Sequence, residues 1–307
     1  MRNILMTLTA LAASATATAQ TSLSCLYQQP VWGAYNASAV AVDLDNNGYR
    51  DLVLAGIGSN ITNYAGVNSW EKERFCRVAL FNTTTKRWKI AGFRDPNKPD
   101  KNGLNVSDRP SLSACDINQD GIMDIVAFES SGIDYDNEPM IDKVSREGIF
   151  LGKGDGTFVQ FTPTFVDAEG NPVNFDLRSI LSADVADFNN DGLIDIVGIG
   201  YRRNGGAAVT YPEANVVLLN RGGGRFEVTH FLSDDYVTAY GQKKQKYHFE
   251  CGQVQAYDFN NDGYVDFFVN ANSNDRSVLG TTHGSSTHFS EIFLNDPGHP
   301  GQFRRLN

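Results

Sequence analysis

The stretch DFNNDGLID, residues 187–195, packs three aspartates and two asparagines into nine positions, directly ahead of the apolar run Ile196-Val197-Gly198-Ile199. Like charges at this density repel one another, and burying them unpaired is costly. A cation among the carboxylates would resolve the conflict.

The same nonapeptide occurs four times, as DLDNNGYRD from Asp43, DINQDGIMD from Asp116, DFNNDGLID from Asp187 and DFNNDGYVD from Asp258. The starts lie 73, 71 and 71 residues apart, a period too even for chance. A second feature recurs in phase with the first. Val78–Asn82, Ile149–Gly152, Val216–Asn220 and Ile292–Asn295 are each followed by a turn and then by Trp88, Phe158, Phe226 or Phe303. The chain therefore reads as four repeats of about 71 residues.

Each repeat reads as four strands. A small-residue strand (Ser38–Val42 in the first, Gln253–Tyr257 in the fourth) leads into the acidic loop, and an apolar strand leaves it. A variable loop follows, then a hairpin with a Gly-rich turn. There are no heptads and no long stripe of period 3.6, so the fold class is all-β. Tandem four-stranded antiparallel units predict the blades of a β-propeller, which hides sheet edges by radial packing. Ser22–Trp32, ahead of the first loop, is available to complete the last blade.

Within the loops, positions 1, 3, 5 and 9 always carry side-chain oxygen. They are Asp43, Asp45, Asn47 and Asp51, then Asp116, Asn118, Asp120 and Asp124. The third copy supplies Asp187, Asn189, Asp191 and Asp195; the fourth supplies Asp258, Asn260, Asp262 and Asp266. Position 6 is always Gly, which suits the positive φ of a tight turn. Position 7 varies (Tyr49, Ile122, Leu193, Tyr264) and would contribute only its backbone carbonyl. An all-oxygen set of this kind suits calcium; magnesium keeps more water, and zinc prefers His or Cys. An EF-hand would need Glu at position 12, where Leu54, Ala127, Gly198 and Val269 stand. About four structural Ca²⁺ are expected, one per loop.

The net charge of −10 has a local origin, because the twelve aspartates of the four loops contribute −12. The rest of the chain is slightly basic, and the overall sign argues against a nucleic-acid partner.

A D-x-[DN]-x-[DN]-G-x-x-D loop between two strands, followed by a strand ending in L-x-N and then G-x-F, resembles the FG-GAP/VCBS repeats of integrin α-subunits and many secreted proteins. The resemblance runs from Ala34 to Phe303 and implies a calcium-binding propeller. It departs in number: the better-known members have about seven blades, against four repeats here. In resembling propellers ligands bind the rim away from the calcium. That rim would carry the long variable loops, with Tyr64, Trp70, Tyr135, Arg202, Tyr211 and His283 as candidate ligand-face residues. Exposed rings beside polar groups suit a glycan or an extracellular protein partner. The function expected is adhesion or carbohydrate binding. The rival is a lyase-like polysaccharide-active enzyme using Arg202, Arg203, His248 or His283, although no Gly-x-Ser-x-Gly or His-Glu-x-x-His motif is present.

Residues 1–19 predict a signal peptide: a basic start at Arg2, the apolar run Ile4–Ala13 and the small-x-small site Ala17-Thr18-Ala19. The propeller domain would then span 20–307, with a secreted or periplasmic location and no membrane span. Four cysteines (Cys25, Cys76, Cys115, Cys251) lack metal-type spacing and allow three pairings, between which sequence does not choose.

Overall fold

A computed structural model describes residues 31–60, 72–93, 110–129, 148–177, 180, 182–199, 215–231, 251–273 and 287–306. Seventeen strands among them form four sheets, and every sheet begins with the strand that enters an acidic loop. Unit 1 contains β1 (Val31–Val42), β2 (Asp51–Asn60), β3 (Lys72–Asn82) and β4 (Arg87–Phe93). Unit 2 contains β5 (Pro110–Cys115), β6 (Asp124–Glu129), β7 (Gly148–Gly152) and β8 (Phe158–Phe161). Unit 3 is built from β10 (Ser182–Ala186), β11 (Asp195–Ile199), β12 (Val216–Asn220) and β13 (Arg225–His230). Unit 4 is built from β14 (Cys251–Tyr257), β15 (Asp266–Ser273), β16 (Thr287–Asp296) and β17 (His299–Arg305).

Each unit is an antiparallel meander in chain order, as its alternation of apolar runs and turns predicts. Unit 3 departs by one strand. β9 (Thr164–Val166), from the connection between units 2 and 3, pairs in parallel with β13 and makes that sheet five-stranded. Three residues with one pairing face are too little pattern to stand out in a sequence. Unit 4 obtains all four strands from its own residues, so the last sheet needs none of Ser22–Trp32; Val31 and Trp32 belong to β1.

The acidic loops are the first hairpin turns. The pairs that close them are Val42 with Asp51, Cys115 with Asp124, Ala186 with Asp195 and Tyr257 with Asp266. Beyond the ninth residue, alternate side chains of the second strand face opposite sides of the sheet. Ile125 and Ala127 pack toward unit 1, whereas Val126 and Phe128 pack toward unit 3. Because both sheet faces are covered, these strands read as unbroken apolar runs rather than alternating ones.

The core is therefore divided among the junctions. One cluster joins Leu44, Val53 and Val78 to Ile125, Phe150 and Phe158. A second joins Ile117, Val126 and Ile149 to Ile196, Leu218 and Phe226. A third joins Phe188, Val197 and Leu219 to Phe267, Val269 and Phe293. The first strands of consecutive units also lie side by side and exchange polar contacts. The Ala183 N–H donates to Ser111 Oγ, Ser113 Oγ donates to Asp184 Oδ1, and the Ala256 N–H donates to Asp184 Oδ2. No helix among the described residues is long and apolar enough to cross a membrane.

Candidate metal centres

Position 1 of each loop gathers the turn. In the third loop Asp187 Oδ1 accepts the N–H of Asp191 at 3.0 Å, and Oδ2 accepts that of Gly192 at 2.8 Å. Asp43, Asp116 and Asp258 make the same pair of bonds to positions 5 and 6. The turn needs two left-handed residues, at positions 4 and 6. Position 6 is glycine, with φ between 81° and 87° in the four copies. Position 4 is Asn46, Gln119, Asn190 or Asn261, with φ between 54° and 62°. Asparagine tolerates that region better than most residues. An amide at every fourth position was a legible signal for this, and sequence reasoning passed over it.

Position 9 is the buried anchor. Asp51, Asp124, Asp195 and Asp266 are fully buried, each with both carboxylate oxygens engaged by backbone. Oδ2 accepts the N–H of position 2, from Leu44, Ile117, Phe188 or Phe259, at 2.8–3.0 Å. Oδ1 accepts an N–H from the third strand, from Phe81, Gly152, Asn220 or Asn295, at 2.7–2.8 Å. The ninth aspartate thus ties loop to sheet. Each oxygen keeps a further lone pair for a cation.

The electrostatics show what this arrangement costs without a counter-charge. Burial, reinforced by the other loop aspartates and opposed by the two amides, pushes Asp195 up to about 7 and Asp124 up to about 6. Asp51 is raised for the same reasons. At these three aspartates desolvation outweighs the hydrogen bonds, so each resists ionisation without a counter-charge.

The loops differ in how far their carboxylates converge. In the first, oxygens of Asp43, Asp45 and Asp51 lie within 4.8 Å of one another, the one such group among the described residues. Asp45 Oδ1 there is buried with no hydrogen-bond partner. Such an orphaned carboxylate oxygen is expensive unless something cationic meets it. In the other three loops position 3 is Asn, and its amide donates to the position-5 carboxylate at 2.8–3.0 Å. Loop 3 has an added cation nearby: Arg221, paired with Glu227 at 2.7 Å, stands 3.7 Å from Asp191. Side-chain oxygens at positions 1, 3, 5 and 9 and the position-7 carbonyl could hold a hard divalent ion, and the donor set fits calcium.

Cys115 is a free, buried thiol pushed up to about 12, chiefly by desolvation and secondarily by the carboxylates of Asp124, Asp116 and Asp184. The ligand-face candidates Tyr64, Trp70, Tyr135, Arg202, Tyr211 and His283 lie outside the described residues, as do Arg203 and His248.

Comparison with known proteins points the same way for the repeat. No curated protein matches the chain. Among solved structures, a glycoside hydrolase family 43 arabinoxylan arabinofuranohydrolase from Bacillus subtilis, in complex with cellotetraose, is 13% identical with a TM-score of 0.41. It aligns over 90% of this chain and 52% of its own, so this chain spans about half the length of that enzyme. A putative glycoside hydrolase from Parabacteroides distasonis is 12% identical with a TM-score of 0.40, over 89% of this chain and 72% of its own. The V. cholerae biofilm matrix protein Bap1 is 14% identical with a TM-score of 0.29, over 89% and 39%. The FG-GAP-like repeat profile matches residues 116–198 and 187–269, two overlapping windows that each begin on the first aspartate of one acidic loop and extend past the ninth of the next. With that match spanning half of the sequence, the chain belongs to the FG-GAP-like repeat family.

Proposed function

We propose that the protein is an exported, calcium-stabilised β-propeller that acts as a binding module for a glycan or an extracellular protein. The observation that carries the calcium reading is the orphaned Asp45 Oδ1, set among the converging carboxylates of Asp43 and Asp51. Bound calcium would supply positive charge, and so let the loop aspartates stay ionised beside a buried strand. The chain's own part is to preorganise the ligands: position 1 shapes the turn, position 9 fixes it to the sheet, and glycine at position 6 permits the bend.

Propeller geometry is supported by the order of the units, whose first strands lie side by side while their sheet faces share a core. In an up-and-down blade the acidic loops and the second hairpin turns share one rim, and the long connections share the other. The binding face is assigned to those connections, where Tyr64, Trp70, Tyr135 and Tyr211 provide rings and Arg202 and His283 provide hydrogen bonds. The signal peptide over residues 1–19 accounts for export to a compartment where calcium at about 0.1–1 mM can fill sites of this type.

The test is a calorimetric calcium titration of chelated protein, paired with melting in calcium and in excess EDTA. About four sites and a lower melting temperature in EDTA are expected; an identical melt in both buffers sinks the metal reading. A glycan array probed in calcium addresses the ligand. Saturable binding lost on Tyr64→Ala or Trp70→Ala supports the assigned face, and turnover of a polysaccharide requiring His283 moves the protein to the enzyme class.

A further inference from the structure

The acidic loops are not electrically equivalent, and the second hairpin turn makes the difference. Phe81, Gly152, Asn220 and Asn295 are the third-strand donors to the ninth aspartates. The residue after each donor is Asn82, Lys153, Arg221 or Asp296. Three of the four stay with their own hairpin. Asn82 Oδ1 accepts the N–H groups of Thr84 and Thr85, Lys153 is exposed beside Asp155, and Asp296 takes the Gly298 N–H and His299. Arg221 crosses to the acidic loop, with Nη1 3.7 Å from Asp191 Oδ2. Among the described residues no other loop aspartate is paired with a lysine or arginine.

Arg221 is held in that place. Asn220 before it is fixed by hydrogen bonds to Asp195, Ile194 and Ile117, and the Arg221 N–H donates to the Arg225 carbonyl at 2.9 Å. Its Nε and Nη2 donate to Glu227 Oε2 at 3.0 and 2.7 Å. Glu227 lies on β13 between Leu219 and Val166 with its side chain 15% exposed, so it is the firmer partner. At 3.7 Å the contact with Asp191 is an ion pair rather than a hydrogen bond. Loop 1 stands at the other extreme, with neutral Asn82 at that place and the orphaned Asp45 Oδ1 among its converging carboxylates. The clasp between loops differs in the same direction. The position-4 side chain donates to the glycine carbonyl of the next loop, Asn46 to Gly121 at 3.2 Å and Gln119 to Gly192 at 2.8 Å. From the third loop Asn190 reaches Gly263 at 3.5 Å, the loosest hold of the three.

We propose that Arg221 is a resident counter-ion that lowers the calcium affinity of the third loop, so that this loop fills after the first. The proposal rests on the calcium reading of the loops. The guanidinium already balances part of the Asp191 charge, and a divalent ion on that carboxylate would have to share it. Side chains 39% and 33% exposed are well screened, so the effect on affinity is about three- to tenfold. Glu227 sets its size, because the Arg221–Glu227 pair is neutral and a guanidinium without that partner presents its full charge to Asp191.

Glycine amides read each loop separately, since position 6 is Gly48, Gly121, Gly192 or Gly263. Calcium titration of the full chain with isotope-labelled glycine, followed by amide NMR, should move the Gly192 resonance at a higher free calcium than Gly48. Arg221→Ala should lower the Gly192 midpoint about three- to tenfold and leave the Gly48 midpoint in place. Arg221→Gln removes the charge with less loss of side chain; it should do the same, and serves if the alanine variant does not fold. Glu227→Gln should raise the Gly192 midpoint. Melting curves establish that the variants are folded. A Gly192 midpoint that is unchanged or higher in the Arg221 variants overturns the proposal, as does a wild-type Gly192 that responds before Gly48. A protein in which no loop glycine responds to calcium is a different result, because it removes the calcium reading itself and this proposal with it.

Discussion

Asp195 and Asn220 lie 25 residues apart, and the Asn220 N–H donates to Asp195 Oδ1 at 2.7 Å. The same carboxylate takes the Phe188 N–H on its other oxygen, so one buried side chain holds the start of the loop and the third strand together. Asp195→Ala should leave two buried amides unpartnered, at about 1–3 kcal/mol each. Asp195→Asn keeps one acceptor and should cost about half as much. Denaturant midpoints in excess EDTA separate this anchoring role from ligation: a calcium ligand with no anchoring role would lose little stability once the metal is gone.

That anchoring role was hidden in the sequence, although the residue was not. Spacing alone places an oxygen-bearing side chain at the ninth position of each loop, and this is enough to pair it with a cation. It does not show that the third strand returns to the same carboxylate, because that contact crosses a variable connection. The repeat, the order of the strands and the position of the hairpins follow from local pattern and were legible. The edge strand Thr164–Val166 was not, since its pairing with β13 is long-range and its pattern is three residues long. The clasp between loops was half legible: four amides in register are visible, but their carbonyl acceptors 73–75 residues onward are a product of unit packing.

Acid should stabilise the calcium-free protein. Asp124 and Asp195 titrate at about 6 and about 7 in the folded chain, above their ordinary value of 3.8. Between these limits the folded state holds protons that the unfolded state has released, so stability falls as pH rises from about 4 to about 7 and levels off above. Asp155, Asp167 and Asp296 are shifted downward, and their contribution is lost only below the ordinary carboxylate range, outside this window. In EDTA the melting temperature should be higher at pH 5 than at pH 8. With saturating calcium the order should narrow or reverse, because protons compete with the metal for the same oxygens. A higher EDTA melt at pH 8 would contradict the burial-driven shifts.

Cys115 should be chemically silent in the folded protein. Its thiol is buried and titrates at about 12, so almost no thiolate is present at pH 8 and reagents cannot reach it. Alkylation with iodoacetamide followed by peptide mass spectrometry should leave Cys115 unmodified under native conditions and modify it in guanidinium. Native labelling at a rate near that of a free thiol would mean that the junction between units 2 and 3 opens readily.

Two glycines should respond differently to a single methyl group. A Cβ at Gly152 would run into the backbone carbonyl of Met123, which has no room to withdraw because the loop anchored by Asp124 holds it. The matching residues Asn220 and Asn295 have their own amides between them and the corresponding carbonyls of Ile194 and Val265, at 3.1 and 3.0 Å. Gly152 therefore marks where the chain has closed that gap. At Gly198 the obstacle is the buried side chain of Ile180, whose Cδ1, Cγ1 and Cγ2 would lie 2.7, 3.0 and 3.1 Å away. Gly152→Ala is expected to cost about 1–3 kcal/mol, in the range for overpacking. Gly198→Ala should cost less, because a side chain relaxes more cheaply than anchored backbone. Chemical denaturation of the two variants side by side decides the order, and a larger loss at Gly198 would show that the strand around Gly152 is the more compliant of the two.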